Sequence, residues 1–347
     1  MILNDIPLAP FTAFGIGGPA RWFSEAASEA EIAEAVAWAR ERSLPLFVLG
    51  GGSNLLVSDA GFPGLVLRIA VKGIEQQGER FLCSAGEDWD SFVSLAVERN
   101  FAGVECLAGI PGTVGGTPVQ NVGAYGQEAG SVIERVRAFH IDSREFVEFS
   151  ADECRFSYRC SRFNSSDMGK FIVTRVDYRL RPRGGPQLDY ADLKSYFLKS
   201  HIDRQATPTL SEVAAAVRVI RQSKGMLLVE DDPDCRSAGS FFKNPAVVES
   251  VAGKVREYAA SHNIPLRIYP TADGLVKISA AWLIEQAGFP KGYALGAAGI
   301  SSRHTLALIN RGGARAEDIL ALAKKIADAV AGRFGIHLEM EPVQVGF

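Results

Sequence analysis

The sequence predicts an α+β fold, and three observations carry that expectation. Helical and strand patterns are interspersed along all 347 residues without a sustained βαβ alternation. Two glycine-rich loops, at 49–57 and 109–130, interrupt the pattern in the first half. A Pro/Gly segment, RPRGGPQ at 181–187, then punctuates the chain near its middle and is the best boundary signal. A chain of this length can bury two or three cores of ordinary size.

The first segment reads β-α-β. In SEAEIAEAVAWARERS (28–43), Ser28 and Glu31 form a capping-box pattern, and Ile32, Ala35, Val36 and Ala39 share one helical face. LPLFVLG follows as a short apolar strand running into glycines, and NLLV, LVLRIA and RFLCSAG read as further strands. The next helix, DWDSFVSLAVERN (88–100), carries Trp89, Phe92, Val93 and Ala96 on a face and stops near Gly103. Beyond the second loop, RVRAFHI and EFVEFS flank Asp142, Ser143 and Arg144 as a hairpin, and FIVTRVDYRL adds a strand. After 187 the Thr209/Glu212 capping pair opens a helix, and a second helix covers 246–262. SAAWLIEQAG (279–288) is a third helix with a glycine stop, and TLALIN is a strand. A long helix over about 315–332 and a final strand near IHLEM complete the chain. No internal repeat or low-complexity region is present.

Charge excludes some functions. With 37 basic and 40 acidic side chains the net charge is −3, which gives no footprint for nucleic acid or an anionic membrane. No stretch approaches the roughly 20 apolar residues of a membrane span. The opening MILNDIPLAP lacks a basic n-region and a long apolar run, so no signal peptide is expected. Five cysteines (83, 106, 154, 160 and 235) without a C-x-x-C predict free thiols in a reducing cytoplasm. The five histidines lack metal-ligand spacing, so no metal site is expected.

The first glycine loop, LGGGSNLLV, fails as a dinucleotide fingerprint. After Gly50 and Gly52 the next required glycine is Leu55, and a strand follows where a helix should. Its bare backbone, with Ser53 and Asn54, suits either an anion-binding nest or a tight turn. The second, GIPGTVGGTPVQNVGAYGQEAG, packs seven glycines and two prolines into 22 residues without a lysine or arginine. Long loops of this kind are usually functional, and glycine allows close backbone approach to a ligand. An uncharged lining with amides at Gln120 and Asn121 suits a flavin dinucleotide.

A third stretch, AGSFFKNP (238–245), sets Ser240 before two phenylalanines. It lacks the G-x-S-x-G frame of a nucleophile elbow, so on residues alone Ser240 is either a turn-forming serine or a chemical group.

GGGSNLLV, GIPGTVGGTPVQNVGAYGQE, the YR at 158–159, AGSFFKNP and LEMEP occur in the order shown by UDP-N-acetylenolpyruvoylglucosamine reductases. The chain resembles that family from about residue 12 to 346. The resemblance implies a two-lobed FAD-binding fold of the vanillyl-alcohol-oxidase type, with a C-terminal α+β substrate-binding domain. The expected division is a first lobe over 1–70, a second over 71–207 with a substrate lid near 181–200, and a substrate domain over 208–347. The last strand is expected to return toward the flavin.

The implied reaction reduces an enolpyruvyl ether of a UDP-sugar to a lactyl ether, in peptidoglycan precursor synthesis. NADPH donates a hydride through FAD to C3, and negative charge develops at C2 and on the carboxylate. Such a step needs cationic stabilisers and a proton donor. The resemblance assigns Ser240 as proton donor, Arg159 in FSYRCSRF to the substrate carboxylate, and Glu341 in LEMEP as acidic partner. The family pattern there reads L-E-P-E-V, against Met340 and Pro342 here, which leaves Glu339 as the alternative acid. FAD is placed against Gly50, Gly51, Gly52, Ser53 and Asn54 of the first loop. Pro111, Gly112, Gly115, Gly116, Gln120, Asn121 and Gly123 of the second complete its contacts. Substrate contacts are carried over to Tyr125, Tyr158, Tyr190 in LDYADL, Arg221 and Lys224 in RQSKG, Asn244, and Gln286 in WLIEQAG. The two phenylalanines after Ser240 are expected to wall it off from water.

GMLLVEDDPDCRSAG, between Lys224 and Ser240, is longer than in some relatives. No histidine precedes His140, so FAD is expected to be noncovalent, against a covalent sugar or alcohol oxidase of the same superfamily. A non-catalytic UDP-sugar binder is the other alternative. A cytoplasmic monomer without nucleic-acid or membrane partners is expected.

Overall fold

A computed structural model describes residues 1–199, 207–271 and 274–347. The end of the predicted lid, residue 200, lies outside the described residues. The chain forms two compact units, one of Met1–Ile6, Ala20–Gly52 and Phe62–Gln222, the other of Pro7–Pro19, Ser53–Gly61 and Ser223–Phe347.

Two larger sheets lie in the first unit, beside two-stranded pairings. One has the strand order Ile2–Pro7, Pro19–Ala26, Phe62–Ile69, Leu46–Leu49. Pro19–Ala26 and Leu46–Leu49 both run parallel to Phe62–Ile69, where Leu65, Val66 and Leu67 are fully buried, as a continuous apolar run requires. The other is antiparallel, in the order Glu145–Ser150, Ile133–His140, Phe171–Arg179, Arg80–Ser84, Ile74–Gln77. The predicted hairpin is present, with His140 opposite Glu145.

The helix Glu29–Glu41 starts where Ser28 accepts the Glu31 N–H, and it buries the four residues named above. Trp89–Glu98 is capped by Asp88 and buries Trp89, Phe92, Val93 and Ala96. Leu210–Ser223 opens on the predicted Thr209/Glu212 reciprocal cap. The unit does not divide at 181–187. Arg181–Pro182 pairs with Phe101–Ala102, Gln187 donates to the Gly126 carbonyl at 2.8 Å, and Leu210–Gln222 stays in this unit.

Among its described residues the second unit gathers short strands around the α-helices Glu249–Ser261, Ala280–Gln286 and Ala316–Phe334. The last is the predicted long helix, and Gly335 ends it in the left-handed conformation at φ 66°. The two early segments of the chain are stitched in by polar contacts. Asp59 accepts the Ala316 N–H at 3.0 Å, and Asn310 donates to the Phe14 carbonyl at 3.0 Å. The final strand is displaced from its predicted place: it is Val343–Val345, running parallel to Leu55–Val57. IHLEM contributes only a bridge from Met340 to Phe242, and Pro342, with no N–H, cannot extend a ladder between the two. The mixture of sheets and helices is the α+β class expected.

Candidate active site

In the first unit the two glycine loops touch backbone to backbone. A Cβ on Gly51 would lie 2.5 Å from the Gly112 Cα, so only glycine permits that approach. Among the described residues no hydrogen bond takes the N–H groups of Gly50, Gly51, Gly52, Gly112 or Thr113. Backbone N–H groups left open side by side in this way are what a diphosphate takes. Gly115 and Gly116 differ: their N–H groups go to the carbonyls of Ala85 and Thr113 at 2.8 and 2.9 Å. A Cβ on Gly116 would meet nothing within 4 Å, so no protein neighbour requires glycine there. The residues therefore fit FAD.

Asn121 is buried, and its amide donates to Glu128 at 2.9 Å and the Ser157 carbonyl at 3.0 Å while accepting the Gly130 N–H. Both side-chain donors are used inside the protein, so the amide expected to face the cofactor braces the loop instead. Pro111, Gln120 and Gly123 are half-buried along the same loop.

The glycines give a prediction. Gly51→Ala overpacks the junction, so FAD affinity falls roughly 10- to 100-fold, as about 1–3 kcal/mol of strain implies, and the apoprotein melts earlier. Gly116→Ala weakens FAD while leaving apoprotein melting unchanged. Flavin absorbance after gel filtration and apoprotein melting curves read both; loss of apoprotein stability in Gly116→Ala refutes the assignment.

Tyr125 and Gly126 form the tip of a two-residue hairpin between Gly123–Ala124 and Gln127–Glu128, with φ 49° and 87°. That turn wants positive φ at both positions, an unusual demand on tyrosine. The Tyr125 ring meets Tyr190 edge-on at 5.3 Å, and the Arg221 guanidinium donates to its hydroxyl. Burial pushes the Tyr125 phenol up to about 12, with Arg221 opposing. Arg221 is itself buried and donates to the Gly109 carbonyl at 3.0 Å. Burial pulls its pKa down, opposed by Tyr125 and Asp90. Three predicted substrate residues thus meet.

Arg159 sits third in the turn from Ser157 to Cys160, at φ 55°. It donates to the Gly123 carbonyl at 3.0 Å, and its guanidinium lies 5.5 Å from the ring centre of the exposed Tyr158.

The second unit gathers another set. Glu341 donates its N–H to the Phe241 carbonyl at 2.9 Å and accepts from the Asn54 amide at 3.2 Å. Residues from three distant stretches thereby meet beside Ser240. Among the described residues no hydrogen bond engages the Ser240 hydroxyl. The turn is served by Ser237, whose hydroxyl accepts the Gly239 N–H at 3.3 Å. Phe241 and Phe242 do not wall Ser240 off: both rings are buried in the core of this unit, and Ser240 stays half-buried. They anchor its backbone instead. Glu339, by contrast, has a side chain 72% exposed and is paired with Lys243. Asn244 accepts the Ala280 N–H at 2.9 Å and Gln286 ends that helix; Lys224 is half-buried just beyond Leu210–Ser223. Ser53 is half-buried before Asn54. Among the described residues no group of three or more His, Cys, Asp or Glu side chains could hold a metal ion.

The profile of the C-terminal domain of UDP-N-acetylenolpyruvoylglucosamine reductases matches residues 231–345, and that of an FAD binding domain matches 21–142, spanning both glycine loops. The UDP-N-acetylenolpyruvoylglucosamine reductase of Streptomyces avermitilis is 45% identical over 99% of this chain and 95% of its own length. The chain belongs to the UDP-N-acetylenolpyruvoylglucosamine reductase family. The reductase of Pseudomonas fluorescens is 40% identical over 98% of each chain. Among solved structures, UDP-N-acetylenolpyruvylglucosamine reductase from Thermus caldophilus matches at a TM-score of 0.68 and 27% identity, covering 99% of this chain and 98% of its own.

Membership in the reductase family leaves several supporting residues unannounced by any motif. Asp90 accepts the Gly109 N–H at 2.6 Å and an Arg218 N–H at 2.7 Å, pinning the start of the second glycine loop. Glu105, fully buried, accepts from the Gln127 amide at 2.8 Å and the Gln187 N–H at 3.0 Å, bracing the Tyr125 hairpin. Neither has a local sequence signature, because each partner lies far along the chain.

Proposed function

We propose that the chain reduces the enolpyruvyl ether of UDP-N-acetylglucosamine to UDP-N-acetylmuramate, with noncovalent FAD and with NADPH as hydride donor, in peptidoglycan precursor synthesis. FAD, when bound and reduced by NADPH, would supply the hydride that adds to C3 of the enolpyruvyl group. The Ser240 hydroxyl then gives its proton to C2. Serine is a weak acid, but a carbanion-like C2 is a strong enough base to take the proton. Arg159 offers a planar fork to the substrate carboxylate, onto which the charge at C2 spreads. Glu341 is the acidic partner, favoured over Glu339 because Glu339 is exposed and paired with Lys243. Tyr125, Tyr190 and Arg221 hold the UDP-sugar.

One observation carries this reading: the Ser240 hydroxyl is left unused by the turn, beside Glu341 and Asn54. The same reading has the protein acting as a cytoplasmic monomer; five free cysteines favour a reducing compartment. No helix of the described residues is long and apolar enough to cross a membrane.

No separate dinucleotide fingerprint for NADPH exists in the sequence, so NADPH and the UDP-sugar are expected to react in turn at one site. Initial-rate plots at several NADPH concentrations are then parallel, each substrate inhibiting at excess. NADPH bleaches the flavin and the enolpyruvyl substrate restores it. Intersecting plots contradict the shared site. A colourless protein points to a UDP-sugar binder, and recovery by oxygen but not by substrate points to an oxidase.

A further inference from the structure

Between Lys224 and Ser240 lie the fifteen residues Gly225–Gly239, whose regular structure is a single turn at Pro233–Cys235. Such a segment has no ladder to fix its ends, yet one end carries Lys224 and the other Ser240. The loop Ser301–Leu306 grips its middle, beside the Asn310 N–H that donates to the Arg236 carbonyl at 2.9 Å. Arg303 donates through Nε to Asp234 at 3.0 Å and through Nη2 to both carboxylate oxygens of Asp232. Ser302 donates its hydroxyl to Asp234 at 2.6 Å and its N–H at 3.2 Å. Burial alone would push the Asp234 carboxyl up; the hydrogen bonds from Ser302 and Arg303 outweigh it and hold the group below its usual range.

Both ends of the segment touch that clamp. Gly225, next to Lys224, is left-handed at φ 64°, and a Cβ there would lie 3.2 Å from the Asp234 Cβ and 3.4 Å from the Arg303 Nε. At the far end, the Phe241 N–H donates to the Leu306 carbonyl at 2.8 Å, immediately after Ser240. We infer that Arg303 is a positioning residue for the reduction of the substrate: it grips Asp232 and Asp234 and so sets Lys224 and Ser240 in register. This inference rests on the reading of Ser240 as proton donor.

A guanidinium fork is needed, because the two carboxylates are met by different nitrogens of one rigid group. Lysine offers a point charge and reaches one of them well. A group misplaced by about 1 Å can lose roughly 100-fold in rate, so a slackened segment is expected to be costly in one half-reaction only.

The experiment compares native protein, Arg303→Ala, Arg303→Lys and Gly225→Ala, each loaded with FAD. Expected for Arg303→Ala are native FAD content, bleaching by NADPH within about twofold of native, and reoxidation by the enolpyruvyl substrate slowed roughly 10- to 100-fold. Arg303→Lys recovers part of that loss, and Gly225→Ala reproduces it through backbone crowding. Amide hydrogen exchange across residues 225–241 rises in Arg303→Ala while the rest of the chain is unchanged, a readout independent of turnover. Reoxidation within twofold of native in Arg303→Ala overturns the inference. So does equal slowing of both half-reactions with general loss of exchange protection, which marks a purely structural clamp. Native protein that the substrate does not reoxidise overturns the functional reading, and this inference with it.

Discussion

Replacing Ser240 with alanine leaves flavin bleaching by NADPH close to its native rate and slows reoxidation by the enolpyruvyl substrate roughly 10² to 10⁴-fold, the usual range for losing a positioned acid. That corresponds to about 3 to 5.5 kcal/mol at the barrier. Two roles are open to a serine in AGSFFKNP, and they predict different variants. A turn-forming serine spends its hydroxyl on nearby backbone, as Ser237 does with the Gly239 N–H. Ser240 does not: among the described residues its hydroxyl makes no hydrogen bond. Removing it therefore leaves no buried partner unsatisfied, and stability should change little. A structural serine would show the opposite pattern, with melting lowered and both half-reactions impaired. Rapid-mixing absorbance resolves the two half-reactions, and native-rate reoxidation in Ser240→Ala removes serine from the proton transfer.

Long elements were legible in the sequence because each carries its own boundary chemistry. Ser28, Asp88 and Thr209 start their helices through local hydrogen bonds, and Gly335 ends the longest one. The final strand was misplaced for the converse reason. Val343–Val345 is three residues long, and its partner Leu55–Val57 lies almost the whole chain away, so no periodicity announces it.

The candidate site divides in the same way. Glycines in the two loops stand out because their spacing is a local property, and Gly51 meets Gly112 as close backbone approach demands. The role of the Asn121 amide could not be read, since Glu128, Ser157 and Gly130 consume it only once the chain has folded. Arg303 was equally silent, an ordinary charged residue in SSRHTL until Asp232 and Asp234 are brought to it. Residue type reveals which groups can do chemistry; which of them remain available is decided by long-range hydrogen bonds.

Arg159 should show this trade most clearly, because its proposed function and its backbone conflict. At φ 55° it occupies a left-handed position that favours glycine and is unfavourable for a residue with a Cβ by roughly 1–2 kcal/mol. The turn is pinned by the Ser157–Cys160 backbone pair, and the Asn164 amide donates to the Arg159 carbonyl at 3.1 Å. Two truncations then have the same chemistry but different strain. Arg159→Gly and Arg159→Ala both remove the guanidinium, so both should slow reoxidation by about 10² to 10³-fold, as for loss of one stabiliser of a developing anion. Their stabilities should differ. Alanine keeps the Cβ and the strain, whereas glycine relieves it, so Arg159→Gly should be the more stable of the two by about 1 kcal/mol. Denaturant midpoints order the pair, and stopped-flow reoxidation measures the chemical loss. A glycine variant less stable than the alanine variant would show that the left-handed position carries no strain. Reoxidation at near the native rate in either would show that another cation holds the carboxylate. The combination expected, an inactive glycine variant more stable than the equally inactive alanine one, has a single physical origin. On the proposed reading, the strain at this left-handed position is offset by what the guanidinium fork does for the charge that develops on the substrate.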